Sequence, residues 1–60
     1  MTFTVRIDCD NSAFEGDQLT QEIARILRGI VNQVATYPVG QSQTLRDVNG
    51  NDVGRAKISR

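Results

Sequence analysis

Residues 18–36 read QLTQEIARILRGIVNQVAT. Within them Leu19, Ile23, Ile26, Leu27, Ile30, Val31 and Val34 recur mostly at gaps of three and four. That spacing gathers apolar side chains on one face and predicts an amphipathic helix of about five turns. Asp17 stands just ahead of the first apolar residue, where a side-chain acceptor can satisfy an orphan N–H, so it is the expected N-cap. Pro38 biases Tyr37 away from helical angles and Gly40 allows the chain to turn, so the helix should end there. The rest of the chain must cover the apolar face.

Upstream, Thr2 to Asp8 alternates: Phe3, Val5 and Ile7 point one way, Thr2, Thr4, Arg6 and Asp8 the other. Period two with aromatic and β-branched residues predicts a half-buried strand over about 2–8. Asp10, Asn11 and Ser12 are turn formers that stop it. Phe14 lies three residues before the expected cap, placed to fold onto the first helical turn.

Downstream, about 43–59 reads as a β-hairpin around Asn49-Gly50, two residues that tolerate positive φ. Two registers compete. A two-residue turn pairs Val48 with Asn51 and sets Leu45, Gly54, Ala56 and Ile58 on one face. A three-residue turn with Gly50 as bulge pairs Leu45 with Val53 and Arg46 with Asp52, and needs a second irregularity at Gly54. The second form is preferred because it buries Val53.

The expected fold is therefore α+β, a small two-layer β-α-β-β domain over 1–60. One helix packs on a three-stranded, mostly antiparallel sheet. With the third strand in the middle, every pairing is antiparallel and one face can be solvated.

Sixty residues, 38% of them hydrophobic with two Phe, one Tyr and no Trp, support only a thin core. A domain of this size buries about 60% of its unfolded surface and usually needs a further source of stability. One cysteine excludes an internal disulfide, and one Cys with no His argues against structural zinc. Oligomerisation remains, and a homodimer is expected. Gly29 costs roughly 1 kcal/mol against Ala inside a helix, which suggests a close backbone or helix approach there. Ala24 and Val31 widen the apolar stripe beyond one sheet contact. Ala24, Gly29 and Val31 are thus the candidate interface on the helix flank.

No charged segment precedes an apolar run, so no signal peptide is read, and no run is long enough to span a membrane. With Cys9 expected to stay reduced, the expectation is a soluble, cytoplasmic protein. Formal charge is zero but unevenly spread. Residues 1–22 set Arg6 against five carboxylates, for −4, and residues 23–60 set six cations against Asp47 and Asp52, for +4. Helix-dipole complementarity accounts for Glu15, Asp17 and Glu22, but not for the basic C-terminal part.

Asp10-Asn11, Phe14-Glu15, "EIARIL" (22–27) and "RDVNGNDVG" (46–54) together carry a resemblance. Between Ile7 and about Ile58 the chain resembles a family of very short proteins encoded in bacteriophages and in bacterial, notably actinobacterial, genomes. The shared pieces are helix and turn motifs, which carry over no activity. The resemblance implies a phage or mobile-element origin and an accessory or host-interaction role.

Chemistry is sparse. Asp8, Asp10 and Ser12 alternate like the start of a calcium loop, but Ala13 replaces the turn glycine and Leu19 the bidentate Glu. Asp47 to Asp52 reads likewise as turn chemistry, so no metal and no cofactor is expected. Without His there is no ordinary Ser–His or Cys–His couple, and Asp8 and Asp10 sit at a strand end beside water rather than in a pocket. The expectation is a non-enzymatic protein.

If Phe3, Val5, Ile7, Leu45, Ala56 and Ile58 face the helix, Arg6, Arg46, Arg55 and Lys57 project from the opposite sheet face, with Thr2, Thr4 and Thr44 between them. Four cations there suit carboxylates or phosphates. The absence of an aromatic on that face and a pI near 6.0 weigh against nucleic acid, and a solvated face that blocks aggregation also fits the pattern. The sequence thus points to a small protein-interaction module with a possible acidic host protein as partner. A nucleic-acid binder using the same four cations is the alternative.

Overall fold

In the computed structural model, which describes residues 1–60, strand β1 (Thr2–Ile7) leads through a 3₁₀ turn (Ser12–Phe14) into helix α1 (Gln18–Gln33). A second 3₁₀ turn (Val34–Thr36) follows, then strands β2 (Ser42–Arg46) and β3 (Asp52–Ser59). The sheet order is β1-β3-β2 and both pairings are antiparallel. The expected α+β architecture and the central place of the last strand are what the chain adopts.

The start of α1 is built differently from its sequence reading, whereas its end comes before Pro38 as expected. Asp17 occupies the N-cap position but is itself helical and makes no capping hydrogen bond. Backbone carbonyls take that role: Gln18 N–H donates to Glu15 O and Leu19 N–H to Gly16 O, with Gly16 at φ +58° making the tight entry. The side-chain cap falls earlier, where Asn11 Oδ1 accepts from Ala13 N at 2.9 Å. At the C-terminus the last turn tightens to 3₁₀ at Val34, Thr36 Oγ1 donates to Gln33 O, and Tyr37 is extended ahead of Pro38.

The hairpin has the three-residue turn. Asp47 N–H donates to Asn51 O, Gly50 N–H donates to Asp47 O, and Gly50 takes φ +83°. Arg46 pairs with Asp52, but Leu45 pairs with Gly54 rather than Val53. The irregularity therefore falls on Val53, one residue earlier than expected. The physical gain is that Val53 and Ala56 are both buried, which regular alternation along β3 would forbid.

The core holds Ala13, Phe14, Ile26, Ile30, Leu45, Val53 and Ala56, with Val5, Ile7, Cys9, Ile23, Val34 and Tyr37 packed around it. Phe14 does fold inward, as its position suggested. Nine of sixty residues are buried and no large side chain is wholly so, and the molecule measures 36 × 18 × 18 Å. A body twice as long as wide keeps much of its apolar surface in water. Phe3, Leu27 and Val31 remain 48%, 43% and 73% exposed.

Candidate functional site: the basic sheet face

Strand pairing assembles the open face. Arg6 lies directly opposite Arg55, and Thr44 flanks Arg55 on its other side. The next row sets Lys57 between Thr4 and Ser42. Alternation places Arg46 on the same side, beyond Thr44. Arg6, Arg46, Arg55 and Lys57 thus share the face that α1 does not cover. Like charges directly opposite on neighbouring strands destabilise a sheet, and two acids offset the Arg6–Arg55 opposition. Arg6 Nε reaches Asp8 Oδ1 at 3.3 Å and Arg55 pairs with Asp52. The hydrogen bond from Arg55 holds the Asp52 carboxyl below its usual range, burial opposing it. Arg46 turns its guanidinium back onto Gly50 O at 3.1 Å. Lys57 makes no ion pair.

A second polar group lies at the opposite edge, where α1 meets the hairpin. Glu22 and Asp47 are the two buried charged residues, and neither stands out in the sequence. Glu22 sits on the helix face that carries Ile26 and Ile30. Its carboxylate accepts from Arg25 and from Val48 N at 2.7 Å. The Arg25 hydrogen bond lowers its pKa, burial opposes, and Val48 lowers it further. Asp47 accepts from Asn49 N, Asn51 N, Asn51 Nδ2 and Asn11 Nδ2. Burial alone would raise its pKa, but these bonds outweigh burial and the net shift is downward. The Asp–Asn cluster in "RDVNGND" is the signal that could have revealed this lock. Its carboxylate is committed to holding the turn and to tying Asn11 of the first loop to it.

The helix-flank trio does not assemble. Successive residues turn by about 100°, so Gly29 and Val31, two apart, face nearly opposite ways. Gly29, with Arg25 and Gln33, borders a shallow cleft of about 170 Å³ against β2. Val31 faces away from β2, and Ala24 borders a wider open concavity of about 690 Å³ with Gln21, Arg25 and Arg28. Nor does Gly29 mark a close approach: a Cβ there would meet nothing within 4 Å. The glycine that does is Gly54, where an added Cβ would overlap the Arg6 carbonyl.

Among the side chains no group of three or more His, Cys, Asp or Glu is placed to hold a metal ion, and no helix is long and apolar enough to cross a membrane. Comparison with protein-family models, with curated proteins and with solved structures finds no match to this chain.

Proposed function

We propose that this protein is a small, non-enzymatic interaction module that works as a homodimer in the cytoplasm and presents its basic sheet face to an acidic protein surface. The observation that carries the reading is the cross-strand opposition of Arg6 and Arg55 beside unpaired Lys57. Asp8 and Asp52 each engage one guanidinium and leave the Lys57 ammonium without a carboxylate, and a partner's carboxylates set among the cations would supply it. Threonines and serines between the cations supply hydrogen bonding without bulk, which suits a flat protein contact. The two acids on the rim, Asp8 and Asp52, favour a patterned protein partner over a uniform polyanion. Glu22 and Asp47, the two buried carboxylates, are both committed to hydrogen bonds that hold the turn and the helix together, which supports the non-enzymatic reading. The resemblance to very short phage and actinobacterial proteins adds a setting: an accessory protein directed at a host protein.

Fluorescence anisotropy with an acidic peptide and with single-stranded DNA of equal charge tests this. The expected result is tighter binding to the peptide, abolished by Arg55→Glu with Lys57→Glu while the far-UV spectrum is unchanged. Preference for DNA, weakening steeply between 50 and 200 mM salt as released counterions require, would instead make the protein a nucleic-acid binder. Binding that survives the double substitution would sink the face assignment altogether.

A further inference from the structure

We infer that the exposed edge of β1 is the seam of the homodimer, where it pairs antiparallel with β1 of a second copy about a two-fold axis through Val5. This inference rests on the homodimeric reading above and specifies its surface.

Both β1 and β2 are sheet edges, and they are treated differently. On β2 the free side is guarded: Arg25 Nη2 donates to Arg46 O at 3.0 Å, and the pairing is broken by the register shift at Leu45/Arg46. On β1 no proline, no bulge and no inward-pointing charge interrupts Thr2–Ile7. These are three of the devices by which proteins protect an edge from pairing; β1 has none of the three, and its one charge, Arg6, stands on the face away from the helix.

The backbone of β1 determines which groups are free. Asp8 N–H donates to Val53 O at 2.7 Å, so by the alternation of an antiparallel ladder Thr4 and Arg6 also turn their peptide groups toward β3. The N–H and C=O groups of Phe3, Val5 and Ile7 then point outward. Those residues are also the ones whose side chains lie on the helix side. An added strand must therefore pair odd residues with odd residues.

Of the two-fold registers that meet that condition, those centred on Thr4, Val5 and Arg6 pair the most odd residues of β1. One centred on Arg6 sets Arg6 against Arg6 of the second copy, a like-charge clash. One centred on Thr4 pairs Phe3 with Val5 but sets Ile7 against Met1, which lies outside the strand, so it pairs fewer of them. The register centred on Val5 pairs Phe3 with Ile7 of the second copy and Val5 with its own equivalent, and it sets Arg6 opposite Thr4. Apolar residues meet on one face and no like charges oppose on the other. The strand is self-complementary, as a two-fold interface requires.

The helix adds to the same side. Arg25, Gly29 and Gln33 border β2, so the opposite flank of α1, with Leu27 and Val31, faces the β1 side, where Phe3 is also half exposed. A standard interface takes about 800 Å² from each partner, under a fifth of this molecule's 4269 Å². Zero net charge leaves two copies without overall repulsion. The product is a six-stranded sheet with both helices on one face and both basic surfaces joined on the other, Arg6 of each copy beside the seam.

Mixed cysteine cross-linking under a mild oxidant, in a Cys9→Ser background, tests the seam. Thr4→Cys and Arg6→Cys proteins are mixed, and masses are followed by sedimentation equilibrium. In the Val5-centred register Thr4 and Arg6 form a non-hydrogen-bonded pair with Cα atoms about 4.5 Å apart, within disulfide range. The expected result is a mixed disulfide between the two variants that outweighs either self-linked species. Predominant Thr4→Cys or Arg6→Cys self-linkage overturns this register. A dimer of twice 6.6 kDa without any of these links overturns the seam and leaves the homodimer standing. A 6.6 kDa species alone at about 100 μM protein, well above the Kd expected of a standard interface, overturns both. Val31→Lys, at a side chain already mostly in water, should dissociate the dimer while keeping the helical spectrum.

Discussion

Two glycines inside regular elements, one in α1 and one in β3, carry opposite predictions. Gly29 sits mid-helix with open space around it, so its only effect is the entropy it adds to the unfolded chain. Gly29→Ala should stabilise by about 0.5–1 kcal/mol, read as a higher urea midpoint. Gly54 lies where β3 passes the Arg6 carbonyl. An alanine there must push two strands apart, and Gly54→Ala should lower the midpoint by several times the gain at Gly29, or prevent folding. A neutral Gly54→Ala would contradict the β1–β3 register. Two buried carboxylates make the third prediction. Glu22 and Asp47 both have folded-state pKa values below their ordinary ones. Their contribution is therefore complete above about pH 4.5 and is lost as pH falls through the lower folded values. Thermal midpoints should drop between pH 5 and pH 2.5, and less steeply in Glu22→Gln and Asp47→Asn. Equal acid sensitivity in those variants would assign the loss to other groups.

At the scale of elements, the helix, the first strand and the hairpin are legible because each has a strong period or turn signal. The apolar spacing from Leu19 to Val34 fits only a helix, and Asn49-Gly50 fits only a tight turn. What the pattern could not supply depends on partners distant in sequence. The N-cap at Asp17 goes unused because the Glu15–Gly16 turn already satisfies the first N–H groups. The irregularity expected at Gly54 falls instead on Val53, where Val53 and Ala56 both gain burial; its need was legible, its position was not. Glu22 looked like a helix-start acid, yet its carboxylate reaches the Val48 amide across the layers. The basic face was legible in full from alternation, and the register adds the opposition of Arg6 and Arg55. The helix-flank trio failed for a geometric reason: residues 29 and 31 cannot share a helix face. The turn itself is testable. Gly50 at φ +83° should resist substitution, Gly50→Ala costing about 1 kcal/mol or more and Gly50→Asn distinctly less, since Asn tolerates that region. Equal midpoints for the two variants would contradict the turn geometry.

For the whole molecule, shape and charge point the same way. A 36 × 18 × 18 Å body with seven buried apolar residues is marginal alone, and its unguarded strand, half-exposed Phe3 and exposed Val31 lie on one side. Pairing through that side would thicken the apolar layer while leaving the cations free for a partner. Amide hydrogen exchange in β1, followed residue by residue at low and high protein concentration, tests this account most directly. The account predicts that Thr4, Arg6 and Asp8 are protected at every concentration by their bonds to β3. Phe3, Val5 and Ile7 should gain protection only where the dimer is populated. Rapid exchange at all six positions would contradict the fold, and rapid exchange at the odd positions in a sample of dimeric mass would contradict the seam.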